Sequence, residues 1–144
     1  MIKRLNIPVL LIFMALSPPV FADPELIRLA EQGYVVAQYS LGFMCDHGVG
    51  VPQDYKAAVK WYTLAAEQGD AKAQAVLGLM YANGEGVLQD KVYAHMWFNI
   101  AGSNGTEDAF AVARDELAKL LTKADLSKAQ DLARDCVRKE YKGC

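Results

Sequence analysis

Residues that could act as nucleophiles are few in this chain and lie far apart. Beyond residue 22 the serines are Ser40, Ser103 and Ser127. None lies in a Gly-x-Ser-x-Gly motif, and none has a lysine three residues later, as serine acyl-transfer enzymes require. A nucleophile of this kind also needs a neighbouring base, and no such pair is visible. The sequence therefore predicts no catalytic residue.

Residues that could bind a metal or a cofactor are also few. His47 and His95 share no cysteine or carboxylate at metal-ligand spacing, and we interpret them as surface or helix-cap residues. Asp46 precedes His47 directly, but adjacent residues of a helix do not face each other. The Gly-x-Gly pairs that begin at Gly48 and Gly84 follow predicted helices rather than strands, which excludes a dinucleotide-binding motif. We predict no metal and no cofactor.

The overall composition indicates a folded chain of one-domain size. Apolar residues make up 53% and charged residues 22% of the 144 residues, and the formal net charge is −2. Disordered chains are less apolar than this, and nucleic-acid-binding surfaces are strongly basic. No apolar run reaches the roughly 18 residues of a membrane span. We therefore predict no nucleic-acid partner and no membrane span once the N-terminal segment is removed.

The N-terminal segment has the features of a secretory signal peptide. Lys3 and Arg4 provide a basic start, residues 7–16 form a short apolar run, and Val20-Phe21-Ala22 provides a cleavage site. The segment contains no cysteine that could receive a lipid. A buried N-terminal helix is the alternative. Cleavage after Ala22 predicts a periplasmic or secreted protein.

Two of the three cysteines lie close together near the C-terminus. A secreted chain meets oxidising conditions, so we predict a disulfide between Cys136 and Cys144. Cys45 shares a helical stripe with Ala37 and Leu41, which should face the core, so we predict a free and inert thiol. The alternatives for Cys45 are a disulfide with a C-terminal cysteine, a disulfide between chains, or redox sensing.

The rest of the chain contains an internal repeat of 36 residues. When residues 33–68 are aligned with 69–104 without a gap, 14 of the 36 positions are identical. No strand pattern accompanies this period, which favours stacked helical hairpins. We divide the chain into a signal peptide (1–22), an N-terminal capping helix (23–32), repeat 1 (33–68), repeat 2 (69–104) and a C-terminal helical pair with a tail (105–144).

The repeated residues have structural explanations. Glycines can end helices in the left-handed conformation, and aspartates can cap the N–H groups that begin them. Small residues let helices approach closely, and each tryptophan should be buried between stacked hairpins. We interpret the following residues as structural: Gly42, Gly48, Gly50, Asp54 and Trp61 in repeat 1, and Gly78, Gly84, Gly86, Asp90 and Trp97 in repeat 2.

Capping signals and apolar spacing predict seven helices. Asp23-Pro24 provides an N-cap followed by a first-turn proline, and Thr122-x-x-Asp125 has the spacing of a capping box. The predicted helices run approximately over residues 24–32, 35–47, 54–68, 71–83, 90–103, 106–121 and 123–138.

The repeated motifs resemble those of the Sel1-like repeat, a relative of the tetratricopeptide repeat. AQxxLGxxY, GxGVxxD and AxxWxxxA occur at the family's spacing across residues 30–102. Cys45 departs from the usual tyrosine, which is present at Tyr81, and Leu88 stands where repeat 1 has Pro52. The resemblance implies an all-α solenoid of antiparallel helix pairs that forms a short right-handed superhelix with a concave face. It also implies a scaffold or adaptor role, often in bacterial envelope or signalling contexts.

A partner surface is expected on the first helix of each repeat, at positions that differ between the repeats. The repeated positions form the core, so the variable ones are free to bind. Tyr39, Phe43 and Leu79 are apolar, which suits a peptide or a helix from another protein, although they could instead pack against neighbouring hairpins. The predicted groove consists of Val36, Tyr39, Ser40, Phe43 and His47 in repeat 1, and Lys72, Ala75, Val76, Leu79 and Asn83 in repeat 2.

These observations predict a non-enzymatic periplasmic module whose partner is another protein or peptide. Two alternatives stay open. Some cysteine-rich relatives are associated with β-lactam binding, which suggests a small β-lactam-binding or β-lactam-hydrolysing enzyme, although the repeats here lack the paired cysteines of those relatives. The other alternative is a self-associating structural unit.

Overall fold

The chain folds into a series of helices that pack one after another. The computed structural model describes residues 22–144, but not the side chains of 106–109, and all regular structure in that part is helical. The signal peptide predicted for 1–22 lies outside the described residues, except for Ala22. Each helix from the first to the fifth packs against the next, and α7 packs against α5, which confirms the predicted all-α solenoid. The helices are α1 (Pro24–Glu31), α2 (Val35–His47), α3 (Tyr55–Ala66), α4 (Ala71–Asn83), α5 (Lys91–Ala101), α6 (Glu107–Lys119) and α7 (Lys123–Arg138).

The turns of the two repeats are built in the same way. Gly48 and Gly84 end α2 and α4 with φ of 66° and 75°, a left-handed conformation that a side chain would disfavour. Asp54 and Asp90 precede α3 and α5, and their carboxylates accept backbone N–H groups at 2.8–3.0 Å. Each repeat is therefore a helical hairpin with the caps that its sequence encodes.

A glycine–aromatic contact closes each hairpin. A Cβ atom on Gly42 would lie 2.7 Å from the Tyr62 ring, and one on Gly78 would lie 2.8 Å from the Phe98 ring. Both rings are buried. Since only a hydrogen atom separates ring from backbone, α2 packs closely on α3, and α4 on α5.

The largest core cluster joins α3, α4, α5 and α7, and Trp97 lies within it. The prediction that both tryptophans are buried between hairpins is correct for Trp97 but wrong for Trp61, which is only half-buried. Trp61 packs on a smaller cluster formed by α1 and α2. In the described chain a single short helix covers that side of repeat 1, so part of the indole stays open.

The connection between α5 and α6 contains a kink. Residues Gly102–Thr106 form a π-helical segment, and within it Gly105 has a non-helical backbone conformation with a φ of 109°. The kink lies at the boundary predicted between the helices over 90–103 and 106–121.

The C-terminal tail folds back onto the junction between the repeats. The predicted disulfide between Cys136 and Cys144 is present, with the two Cα atoms 5.4 Å apart. The Tyr141 hydroxyl donates to the Asn104 side chain at 3.0 Å, and the Gly143 N–H donates to the Glu67 carboxylate at 3.0 Å. The disulfide loop thereby connects the end of α7 to both repeats.

Candidate functional site

The predicted groove residues lie on α2 and α4 at three levels of burial. Val36 is 78% exposed, and Phe43 and Leu79 are 42% and 36% exposed. Tyr39 and Val76 are half-buried and pack against the largest core cluster, as the alternative interpretation allowed. Among the polar members, His47, Lys72 and Asn83 are exposed and Ser40 is half-buried.

Ala75 does not belong to this surface. It is fully buried, whereas Tyr39, one period earlier, is only half-buried. The reason is that α4 is covered by α3, α5 and the π-helical segment. The prediction that Ala75 lines an open groove is therefore wrong.

A depression of about 320 Å³ lies between the first turns of α2 and α4. Val36 and Tyr39 form its apolar side, and Asp70 and Lys72 its polar side. The Asp70 carboxylate accepts the Ala73 N–H at 2.7 Å and is therefore fixed as the N-cap of α4. The arrangement can receive an apolar side chain and place polar groups beside it.

The other end of α2 carries an aromatic pair. The rings of Phe43 and His47 stack with centroids 4.1 Å apart, and His47 Nδ1 lies 3.1 Å from the Phe43 carbonyl oxygen. Asp46 is 3.5 Å from the same nitrogen, and its carboxylate also faces the Tyr62 hydroxyl at 3.5 Å. This stacked pair offers a flat, partly apolar contact to a partner.

Cys45 is a free thiol, as predicted, but it is half-buried rather than enclosed. Burial raises the pKa of the Cys45 thiol, and the negative charge of Asp54 raises it further. Because the thiolate is the nucleophile and metal ligand, a raised pKa keeps this cysteine unreactive at neutral pH. Burial likewise raises the pKa of Tyr39 and of Tyr62.

Two of the serines considered as nucleophiles are bonded to helix backbone. The Ser40 hydroxyl donates to the Val36 carbonyl at 2.8 Å, and the Ser103 hydroxyl donates to the Asn99 carbonyl at 3.1 Å. Hydrogen bonds to the carbonyl four residues earlier are a common arrangement for serine within helices. Neither hydroxyl is held by a base, so the geometry gives no support to an acyl-transfer site.

His95 is buried, which corrects its assignment as a surface or cap residue. The side-chain nitrogen of Asn99 lies 3.0 Å from His95 Nδ1, within hydrogen-bond distance. Burial lowers the pKa of His95, and the charge of Arg114 lowers it further, against a smaller opposite effect of Asp115. Among the described side chains of residues 22–105 and 110–144, no three histidine, cysteine or acidic residues come together as a metal site.

A set of side-chain amides built on the buried Gln38 and Gln74 recurs in both repeats and was not predicted from the sequence. Gln38 donates to the Ala30 carbonyl at 3.2 Å and accepts from the Gln68 side chain at 2.8 Å. We call this arrangement the amide relay. One period later, the same relay consists of the Ala66 carbonyl, Gln74 and Asn104.

The relay joins each first helix to the helices on both sides of it. Buried amides are costly unless they are hydrogen-bonded. Here the backbone acceptor lies in the helix before the buried glutamine, and the side-chain donor follows the second helix of the same repeat. The repetition of Ala37-Gln38 as Ala73-Gln74, with Gln68 matched by Asn104, was the available signal.

Stacked helical hairpins with a 36-residue period define an α-helical repeat protein. The Sel1 repeat model matches residues 35–70 and 71–106, and the chain belongs to the Sel1 repeat family. The matched boundaries begin two residues after those predicted from the sequence. Sel1 repeats generally act as protein-interaction modules.

Solved structures agree with this fold. A protective antigen of uropathogenic Escherichia coli that displays an SLR fold is 34% identical, with a TM-score of 0.77 over 81% of this chain. A Sel1 repeat protein of Oxalobacter formigenes is 33% identical, with a TM-score of 0.55, and the match covers 60% of this chain and 74% of the other.

The chain is short beside some of the proteins it resembles. The match covers a quarter of the E. coli antigen. The chitin synthase regulator SKT5 of Malassezia restricta is 45% identical over 38 residues, which are 26% of this chain and 3% of the regulator. In the part that the structure describes, no helix combines the length and apolar character needed to cross a membrane.

Proposed function

We propose that this protein is a periplasmic or secreted, non-enzymatic scaffold or adaptor that binds an apolar segment of another protein across α2 and α4. The observation that carries the proposal is the exposure of Val36, Phe43 and Leu79 on neighbouring first helices. Exposed apolar residues grouped on one face mark interaction sites more often than isolated ones do.

The surroundings of these residues support the same conclusion. The depression between α2 and α4 separates Val36 from Lys72 and can hold one side chain of a partner. The stacked Phe43 and His47 rings extend the surface to the end of α2. Aromatic and apolar anchors bordered by polar groups are the usual composition of a binding interface.

A pair of charge-introducing variants tests this surface. The reference protein carries a photocrosslinking residue in place of Val36 and no other substitution. It is used to capture partners from an envelope extract, and the captured proteins are identified by mass spectrometry. Phe43→Glu combined with Leu79→Glu should reduce capture at least about tenfold, because two buried carboxylates would lose their hydration.

Leu88→Glu is the matched control, since Leu88 is an exposed apolar residue in a loop outside the surface. It should capture the partner as the wild type does, and thermal melting should show that all variants are folded. Undiminished capture by the Phe43→Glu, Leu79→Glu variant would contradict the proposed surface.

Export is tested separately. N-terminal sequencing of protein recovered from the periplasm or medium should begin at Asp23, because Ala22 supplies the small residue before the cleavage site. Recovery of the protein from the cytoplasm with Met1 intact would contradict the proposed compartment without affecting the binding surface.

A further inference from the structure

The C-terminal helix pair departs from the pattern of the two repeats. Helix α6 begins one period after α4, but α7 begins only 32 residues after α5 (123 − 91), so α7 is out of register with the repeats. Arg114 of α6 stands one period after Gly78. The glycine that lets α4 pack closely on α5 is therefore absent from α6.

The consequence is an open cleft. Helices α6 and α7 both pack on α5 but hardly touch each other, unlike the helices of either repeat. Between the three helices lie two adjoining hollows of about 240 and 280 Å³. Both hollows share Asn99, Ser103, Ala133 and Arg134, so they form one continuous cleft.

The two ends of the cleft differ in chemistry. Ile100, Ala133 and Val137 give one end an apolar lining. Arg114 and Gln130 line the other end, which is mostly polar. A ligand that matches the whole cleft therefore carries an apolar group next to an anion.

The arginines keep hydrogen-bonding capacity for such an anion. Arg114 donates through Nε and Nη2 to Asp115, and Arg134 donates through Nη2 to Asp131. Both aspartates are exposed, and exposed pairs of this kind contribute little. A guanidinium has five N–H donors, and the described side chains, which exclude those of 106–109, provide no partner for Nη1 of either arginine.

We propose that this cleft binds the C-terminal residue of another polypeptide chain that ends in an apolar side chain. The terminal carboxylate accepts hydrogen bonds from Arg114 and Arg134, and the side chain occupies the end lined by Ile100 and Val137. Arginine suits this role because its planar donors match both oxygens of a carboxylate. The cleft lies on α5–α7 and is independent of the proposed surface on α2 and α4.

Three labelled hexapeptides test the proposal: Gly-Ser-Gly-Ala-Leu-Leu as the free acid, the same peptide as the C-terminal amide, and Gly-Ser-Gly-Ala-Ser-Ser as the free acid. Binding to the oxidised protein is followed by NMR, using the methyl signals of Ile100 and Val137 and the Nε–H signals of the arginines. The first peptide should shift these signals, and the other two should bind at least about tenfold more weakly.

Substitution of single arginines tests which side chains bind the carboxylate. Arg114→Gln and Arg134→Gln should each weaken binding of the leucine acid about tenfold. Arg138→Gln is the matched control, because Arg138 forms the same type of pair with Asp135 on α7 but does not line the cleft. It should bind as the wild type does.

Several outcomes would overturn the proposal. Equal binding of acid and amide would show that the arginines do not recognise a carboxylate, and equal binding of the serine peptide would exclude the apolar end. Signal shifts confined to α2 and α4 would place the peptide on the other surface. An absence of shifts at millimolar peptide would show that the cleft does not bind a chain terminus.

Discussion

The two repeats share 14 of 36 residues, yet the same residue has different surroundings in each. Trp97 is enclosed between repeat 1, repeat 2 and α7, whereas Trp61 faces only α1 and α2. Val59 of repeat 1 corresponds to His95 of repeat 2, which is buried beside α6. The comparison shows that a repeat motif determines where a side chain points, whereas the neighbouring hairpin determines how far that side chain is buried and how much it stabilises the fold.

The largest expected difference between the repeats comes from the tryptophans. Trp97→Ala should lower the free energy of unfolding by about 3–5 kcal/mol, since it empties a closed site. Trp61→Ala should cost about half as much, because part of the indole is already in contact with water. Urea denaturation of the oxidised proteins measures both. Equal losses would mean that the position in the array does not matter.

The next effect concerns the tail that is bonded to both repeats. Replacing Cys136 and Cys144 together by serine should lower stability by about 2.5 kcal/mol, the chain-entropy value for a loop of this length. The same melts under reducing conditions should reproduce the loss in the wild type. Cys45→Ser should show a smaller change, since Cys45 forms no disulfide within residues 22–144.

The glycine–aromatic contacts should behave alike in both repeats. Gly42→Ala and Gly78→Ala should each cost about 1–3 kcal/mol, because the new methyl group would overlap the ring of Tyr62 or Phe98. Denaturant titration gives both values. A gain in stability from either change, as expected for alanine in an open helix, would show that the close approach is absent in solution.

The smallest effect is a dependence on pH that His95 of repeat 2 contributes. Since the pKa of His95 is lowered in the folded state, the unfolded chain binds a proton more readily. The contribution of His95 is therefore complete above its unfolded pKa near 6.5 and is lost as the pH falls through the folded value. His95→Gln should flatten this part of the stability profile, and an unchanged slope would assign it to other groups.

The sequence predicted the helices and their caps well because these depend on local patterns. The bounds of α2, α4 and α7 agree with the predicted ones, and Asp54 and Asp90 cap as expected. The two-residue shift of the repeat boundaries and the shorter α3 and α6 are differences at element ends, where local signals are weakest.

The errors concern packing at a distance. The burial of Ala75 and His95 depends on helices that lie beyond their own hairpin, and a single repeat does not contain that information. The arginine-lined cleft was not predicted, because it depends on how α6 and α7 both pack on α5, and α7 is out of register with the repeats. The exposed apolar residues of the predicted groove were predictable, because they stand at positions of the first helices that differ between the repeats.

The amide relay has a consequence for how such a protein can lengthen. In repeat 1 the relay starts at the Ala30 carbonyl, and in repeat 2 it starts at the equivalent Ala66 carbonyl. A third copy of residues 35–70 inserted after Asp70 would find the same acceptor and supply the same donor, so duplication there leaves no buried amide without a partner. After repeat 2 the series stops, because Phe110 stands one period after Gln74 and has no side-chain amide. Duplication therefore preserves the relay only when the new copy is inserted between repeats that already carry it.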